Sequence, residues 1–441
     1  MKNAEKRLLW FGLMAFAGTI LFSFVPTRFH LFNYHFREVD FISDIKTGKP
    51  GQGNLPPLVK GPDAVPVDIS KPDFVTYKDI INYQHASNQP VEKFIKALRD
   101  LKLKKRTAVR IAYLGDSFIE GDLITMDLRQ MLQTQFGGSG VGFVPITSIT
   151  AGFRQTIIHS FTPNWDDYSF HSSGDRSKVF ISGHNYSSPG NATVSYKAVK
   201  QPQLDHFDKV YAIYKSSTGT NISINSQQVY LPPSPVVAKK LVATHVQSLS
   251  ASVGGGDDTY YGFSFEPDTG IIVDNFSFRG ISGIEYKQLD AAFLSQINAA
   301  HPYDLIIFQY GPNLLYKPTA ENFDYYLKPM TGAINLFKTA FPQSDILMVS
   351  TGDKAFRYDG AYKTAKGVLP LLNTQQQIAA STGVNFWNLY LNMGGENSMI
   401  GWVEGEQKLA NKDYTHVNRL GGKKIAELLY NTLLHAYQKN K

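Results

Sequence analysis

The sequence predicts an α/β fold: a doubly wound parallel sheet whose chain is interrupted by an inserted β-rich module. Two observations carry this. On both sides of a central region, apolar strand-like runs alternate with amphipathic helical segments, a pattern that builds a parallel sheet covered on both faces. Between about Thr150 and Ser264 the texture changes to short alternating segments such as KVYAIYK and NISINS, broken by Ser, Gly, Asn and Pro, as antiparallel strands require. Because the α/β pattern resumes afterwards, the module is an insertion within one domain.

In chain order, residues 1–27 open with Lys2, Lys6 and Arg7 and then run uncharged from Leu8 to Val25, close to the minimum length that spans a bilayer as a helix. No small-residue cleavage pattern follows, so an uncleaved membrane anchor is expected in preference to a cleaved signal peptide. The basic residues Arg28 and Arg37 beyond the span oppose the usual orientation rule. On either reading the bulk of the chain leaves the cytoplasm: held at the inner membrane facing the periplasm, or released into the periplasm. Residues 28–75 include a Pro- and Gly-dense stretch from Lys46 to Asp73, expected to be a linker. The first part of the α/β domain, 76–149, holds the helix PVEKFIKALRDLK, the strand AVRIAYL and the helix LITMDLRQMLQTQF. The module covers 150–264. The second part, 265–441, supplies the strands GIIVDNFSFRG, YDLIIFQYG, DILMVST and VNFWNLY, alternating with helices and closing on an amphipathic helix through IAELLYNTLLHAY.

Composition excludes some function classes. The 441 residues carry 44 Lys and Arg against 37 Asp and Glu, a formal net charge of +7. The basic residues are scattered apart from short clusters such as Lys102, Lys104, Lys105 and Arg106, so the concentrated face that nucleic acid needs is missing. With no cysteine there is neither a disulfide framework nor thiolate chemistry. No His and carboxylate cluster has metal-ligand spacing, and neither a metal nor a cofactor is expected.

The segment VRIAYLGDSFIEGDL places Ser117 directly after an apolar strand. Gly-Asp-Ser alone occurs by chance in roughly one in ten chains of this length, so its position carries the weight. It stands at the C-terminal end of the first strand of a doubly wound sheet, where such folds bind their ligands. A nucleophilic serine needs a base. His416 sits in the last loop, with Asp413 three residues before it in DYTH, a spacing that lets the carboxylate hold one imidazole nitrogen while the other faces outward. Histidines of the module, such as His159, His171, His184 and His206, have the plainer reading of surface or hydrogen-bonded residues.

Taken together, GDSFIEGD, Gly280 in FRGISG, Asn313 in QYGPN, and DYTH resemble, in order and spacing, the blocks of the SGNH hydrolases, also called GDSL esterases. The longer stretches GDSFIEGDLITMDLRQMLQTQFGGSGVGFVP and VNFWNLYLNMGGENSM are similar to the membrane-associated peptidoglycan O-acetylesterases. The resemblance implies a flavodoxin-like three-layer hydrolase fold with an inserted β-sandwich similar to a carbohydrate-binding module. It also implies a serine esterase whose substrate is an acetylated cell-envelope polysaccharide, peptidoglycan first. In it Ser117 attacks, His416 is the base and Asp413 orients the base. The backbone N–H groups of Ser117 and Gly280 and the side-chain amide of Asn313 form the oxyanion hole. The sequence departs from the family pattern at Phe118, Pro312, Tyr414 and Thr415, and Pro312 has no N–H to give. Two other functions remain compatible: a polysaccharide O-acetyltransferase using the same triad, and a glycan-binding envelope protein without activity. Tyr168, Tyr186, Tyr211, Tyr214, Tyr230, Tyr260 and Tyr261 are expected to be mostly core, with any exposed remainder available to stack on sugars.

Overall fold

Eight consecutive residues, Ala108–Gly115, form the strand on which the α/β part is built, and seven of them are buried. The structure is a computed structural model that describes residues 78–84 and 89–439, together with the backbone of a two-strand pair in which His30–Leu31 runs antiparallel to Tyr34–His35. That pair belongs to a separate compact unit, Met1–Asp63. The expected membrane segment, Leu8 to Val25, and the Lys46 to Asp73 linker lie outside the described residues. Among the described residues no helix is long and apolar enough to cross a membrane.

The central sheet contains β1 (Ile81–Asn82), β2 (Ala108–Gly115), β3 (Gly270–Ser277), β4 (Leu305–Gln309), β5 (Asp345–Val349) and β6 (Asn385–Trp387), in the spatial order β3-β2-β4-β5-β6-β1. All neighbours are parallel except the β6–β1 edge pair. After β2 the chain goes to one side to make β3 and then crosses to the other side for β4. The point where the order reverses is thus the end of β2, the switch point at which open α/β sheets bind ligands.

Helices cover both faces. On one lie α1 (Glu92–Lys102), α2 (Thr125–Phe136) and α6 (Arg419–Gln438), packed over Ile111, Tyr113 and Ile307; on the other lie α3 (Ala291–Ala300), α4 (Asp324–Ala340) and α5 (Val368–Thr382), over Ala112, Leu114 and Phe308. The alternation of faces along β2 is the period of two that any strand imposes. Each fully buried aliphatic or aromatic side chain contributes about 1.5–3 kcal/mol. The helix starts are capped locally or borrowed from the sheet. Asp290 accepts from the Phe293 N–H at 2.7 Å, whereas α1 rests on Asp345, whose carboxylate accepts from the Phe94 N–H at 2.9 Å.

Between α2 and β3 the chain forms two antiparallel sheets. One contains Asp166–Ser169, His184–Ser187, Phe207–Ser216, Ser234–Val246 and Thr259–Glu266, with Gly142–Pro145 paired alongside the last. The other contains Ile158–Phe161, Ala192–Lys197, Thr220–Ile224, Gln227–Leu231 and Ser248–Val253. They share a buried cluster that includes Val144, Val194, Tyr196, Ala212 and Phe265. The antiparallel pairing thus starts at Gly142, ahead of Thr150, because the short run GFVP finds its partner in Gly262–Phe265. Of the seven tyrosines singled out in the sequence, Tyr186, Tyr214, Tyr260 and Tyr261 are buried and Tyr230 is exposed.

A buried charge network joins these sheets to the parallel one. Arg110 of β2 meets Glu266 at 2.8 Å and Asp274 of β3 at 3.4 Å. Lys239 meets Glu266 at 2.6 Å, and His301 Nε2 lies 2.8 Å from Asp274.

Candidate active site

Three loops converge at the C-terminal edge of the parallel sheet. The first leaves β2 through Asp116 and Ser117, closed by an Ile119 N–H to Asp116 C=O bond of 3.3 Å. The second is the turn after β3, where Gly280 takes φ +83°, a conformation that L side chains rarely adopt, with open space where a Cβ would stand. The third is the loop before α6. There the Asn411 N–H donates to His416 C=O at 2.8 Å, the Ala355 N–H donates to Tyr414 C=O at 3.0 Å, and Asn418 caps the helix through the Leu420 and Gly421 N–H groups.

These loops bring Ser117, His416 and Asp413 into line. Ser117 Oγ lies 3.1 Å from His416 Nε2, and His416 Nδ1 lies 2.7 Å from Asp413 Oδ2. The carboxylate pairing fixes the tautomer: Nδ1–H donates to Asp413 and Nε2 accepts from the serine hydroxyl. Asp413 Oδ1 is held in turn by the His416 and Thr415 N–H groups, each at 3.0 Å. Burial raises the Asp413 carboxyl, but the hydrogen bonds from the His416 side chain and from these N–H groups outweigh it and keep the group below its ordinary value. The pair stays open to solvent, with His416 and Asp413 side chains 40% and 49% exposed.

The other expected residues flank Ser117. The backbone N–H groups of Ser117 and Gly280 have no acceptor among the described residues, which leaves both available to a ligand oxygen. Asn313 is turned inward. Its Nδ2 donates to Ile281 C=O at 2.8 Å and to Asp116 Oδ2 at 3.2 Å, so both amide hydrogens are engaged. Asp116 is fully buried, and its other oxygen accepts from the Phe118 N–H at 2.9 Å. Burial pushes its carboxyl up to about 7, against the Phe118 hydrogen bond and the nearby His416.

Several positioning residues have no signal in the sequence. Glu120, three residues beyond the serine, pairs with Arg279 Nε at 3.0 Å and so ties the Ser117 loop to the Gly280 turn. Asn275 Nδ2 reaches Ile119 C=O at 2.8 Å and Thr125 Oγ1 at 2.7 Å. Lys354 Nζ donates to Leu315 C=O at 2.6 Å and to Pro312 C=O at 3.4 Å, fixing the Asn313 loop through carbonyls where proline offers no N–H. Gln375 bridges Tyr310 C=O and the Thr351 N–H. Elsewhere, Asp208, His245 and Asp268 place one ligand atom each within 4.8 Å of one another, although Asp208 also binds His206 and Asp268 binds Lys209.

No protein-family model matches the chain, and no curated protein matches its sequence. Among solved structures, a peptidoglycan O-acetylesterase is similar, with a TM-score of 0.68 and 18% identity over 82% of this chain and 99% of that one. Two further similarities are a family two carbohydrate esterase from Cellvibrio japonicus, TM-score 0.27 and 10% identity over 65% of this chain and 99% of that one, and a carbohydrate acetylesterase from Sinorhizobium meliloti, TM-score 0.25 and 14% identity over 37% and 78%. The chain shares the fold of the first of these proteins, and fold alone leaves the reaction to the site. The class of chemistry the site can perform is acyl transfer through an activated serine: a hydroxyl, a base with a fixed tautomer and two unpartnered N–H donors stand together at the switch point.

Proposed function

We propose that this chain is a serine esterase of the SGNH hydrolase family that removes O-acetyl groups from a cell-envelope polysaccharide, with peptidoglycan as the substrate. The observation that carries the reading is the unbroken hydrogen-bond line from Ser117 Oγ through His416 to Asp413. His416 Nε2 takes the serine proton as Oγ attacks the acetyl carbonyl, and returns it to the departing sugar hydroxyl; water, activated by the same nitrogen, then releases acetate. The Ser117 and Gly280 N–H groups receive the oxyanion, and Asn313 joins them by giving up one of its two internal hydrogen bonds. The fold in common with a peptidoglycan O-acetylesterase supports the choice of substrate.

In the same reading the antiparallel sheets, which bury a cluster between them, are an inserted β-sandwich that holds glycan. Leu8 to Val25 anchors the protein in the inner membrane facing the periplasm, so that the esterase works on polymer near that membrane. The test is to incubate the full chain with O-acetylated peptidoglycan, alginate-like and xylan-like polymers and to measure released acetate. Release is expected from acetylated peptidoglycan, together with a preference for acetyl over longer aryl esters. Faster cleavage of octanoyl than acetyl esters would overturn the reading in favour of a lipase. Acetyl transfer to an added sugar oligomer in excess of hydrolysis would move it to a transferase.

A further inference from the structure

A cleft of about 450 Å3 lies between the antiparallel sheets and the Gly280 turn, within the volume range of small-molecule sites. Ser117 and His416 do not line it. It adjoins them through Glu120 and Gly280, which do.

The floor of this cleft carries an unbalanced charge. Asp122 is fully buried, and Arg129 takes both of its carboxylate oxygens, at 2.7 and 2.9 Å, while also donating to Val273 C=O. Arg154, which lines the cleft with a side chain only 9% exposed, reaches the same carboxylate through a single 3.4 Å contact. Its Nε donates to Thr156 Oγ1 at 3.0 Å, and its Nη1 has no partner among the described residues. One carboxylate thus serves two guanidiniums. Burial depresses Arg154 below its ordinary value, Asp122 raises it, and Arg129 depresses it again, yet a guanidinium stays charged at neutral pH. Of the other charged wall residues, Glu120 is paired with Arg279, and the Asp167 carboxylate is held by His184 Nδ1 at 2.8 Å. His159 is neutral, because burial pushes it down to about 4.

A desolvated cation with spare donors is stabilised by an incoming anion, and a planar guanidinium matches a carboxylate in particular. The remaining wall offers hydroxyls from Ser148, Thr150, Ser169 and Ser182, suited to a sugar. We propose that this cleft is a saccharide subsite that selects a carboxylate, with Arg154 binding an acidic group of the glycan close to the ester that Ser117 attacks. The proposal rests on the glycan-esterase reading for its place in the reaction. The carboxylate could belong to a lactyl ether, as in muramic acid, or to the ring of a hexuronate.

Calorimetric titration of the full chain separates these sources. One pair of probes is N-acetylmuramic acid and N-acetylglucosamine; the other is glucuronic acid and glucose. The acidic member of one pair is expected to bind about tenfold or more tighter than its neutral partner, the range of one charge-assisted hydrogen bond, and the pair that shows the preference identifies the source. Arg154→Gln is expected to abolish the preference. Equal or undetectable binding of acidic and neutral members, or a preference that survives Arg154→Gln, would overturn the proposal. The comparison on the native chain needs no variant, so it decides even if Arg154→Gln folds poorly. Aryl acetate turnover measured in parallel keeps the two readings apart. Turnover without a carboxylate preference removes the subsite alone, whereas a preference without turnover removes the esterase.

Discussion

Ser117 Oγ and His416 Nε2 stand 3.1 Å apart across 299 residues of sequence. The first loop of the parallel sheet and the last bring them together, and nothing local in either segment could do so. If the pair works as nucleophile and base, Ser117→Ala and His416→Ala each lower kcat on an aryl acetate by about a thousandfold or more, with the far-ultraviolet circular dichroism unchanged. Folded variants that keep the native rate would remove both residues from the chemistry.

Asn313 offers a sharper test, because its amide is engaged with Ile281 and Asp116 in the resting site. As an oxyanion donor it is worth about a hundredfold in kcat, with KM little changed by Asn313→Ala. If the amide serves only the loop, Asn313→Ala lowers the melting temperature and leaves kcat intact.

Asp116 makes stability depend on pH. Its carboxyl holds a proton up to about 7 in the folded chain but only to about 3.9 when unfolded. The contribution is therefore fully present below about 4 and is lost as pH rises through 7. Between pH 5 and 8 the melting temperature of the native chain is expected to fall more than that of Asp116→Asn, which has no charge to gain. Parallel pH profiles for the two chains would contradict this.

Arg110 sits between two buried carboxylates, Glu266 and Asp274. Arg110→Met leaves Lys239 as the cation paired with them among the described residues, beside the neutral donors Tyr303, Ser264 and the Phe143 N–H, and is expected to cost about 3–5 kcal/mol in denaturant unfolding. A loss below about 1 kcal/mol would mean that the network rearranges freely.

The parallel sheet was legible because its central strands are dominated by apolar residues: LIIFQ and DILMV are buried at every position, their polar Gln309 and Asp345 included. The meeting of Ser117 with His416 and Asp413 was legible because strand end and last loop are fixed by that topology. What stayed hidden depends on partners distant in sequence. Ile81–Asn82 is too short to show a period and is a strand only because β6 pairs with it. The hairpin of Ala355–Tyr358 and Ala361–Thr364 likewise leaves no apolar face to read. Lys354 acts on carbonyls 39 and 42 residues away. Arg154 is one more scattered cation in the sequence, and becomes distinctive only when folding sets it beside an Asp122 already taken by Arg129.

In the proposed mechanism Ser117 carries the acetyl group during turnover. The most direct measurement is acid-quenched mass spectrometry of the chain mixed rapidly with an aryl acetate, followed by peptide mapping. A transient acetyl group is expected on the peptide containing Ser117, absent from Ser117→Ala and prolonged in any His416→Ala chain that acylates. An acetylated peptide lying elsewhere, or steady hydrolysis by Ser117→Ala at the native rate, would contradict it.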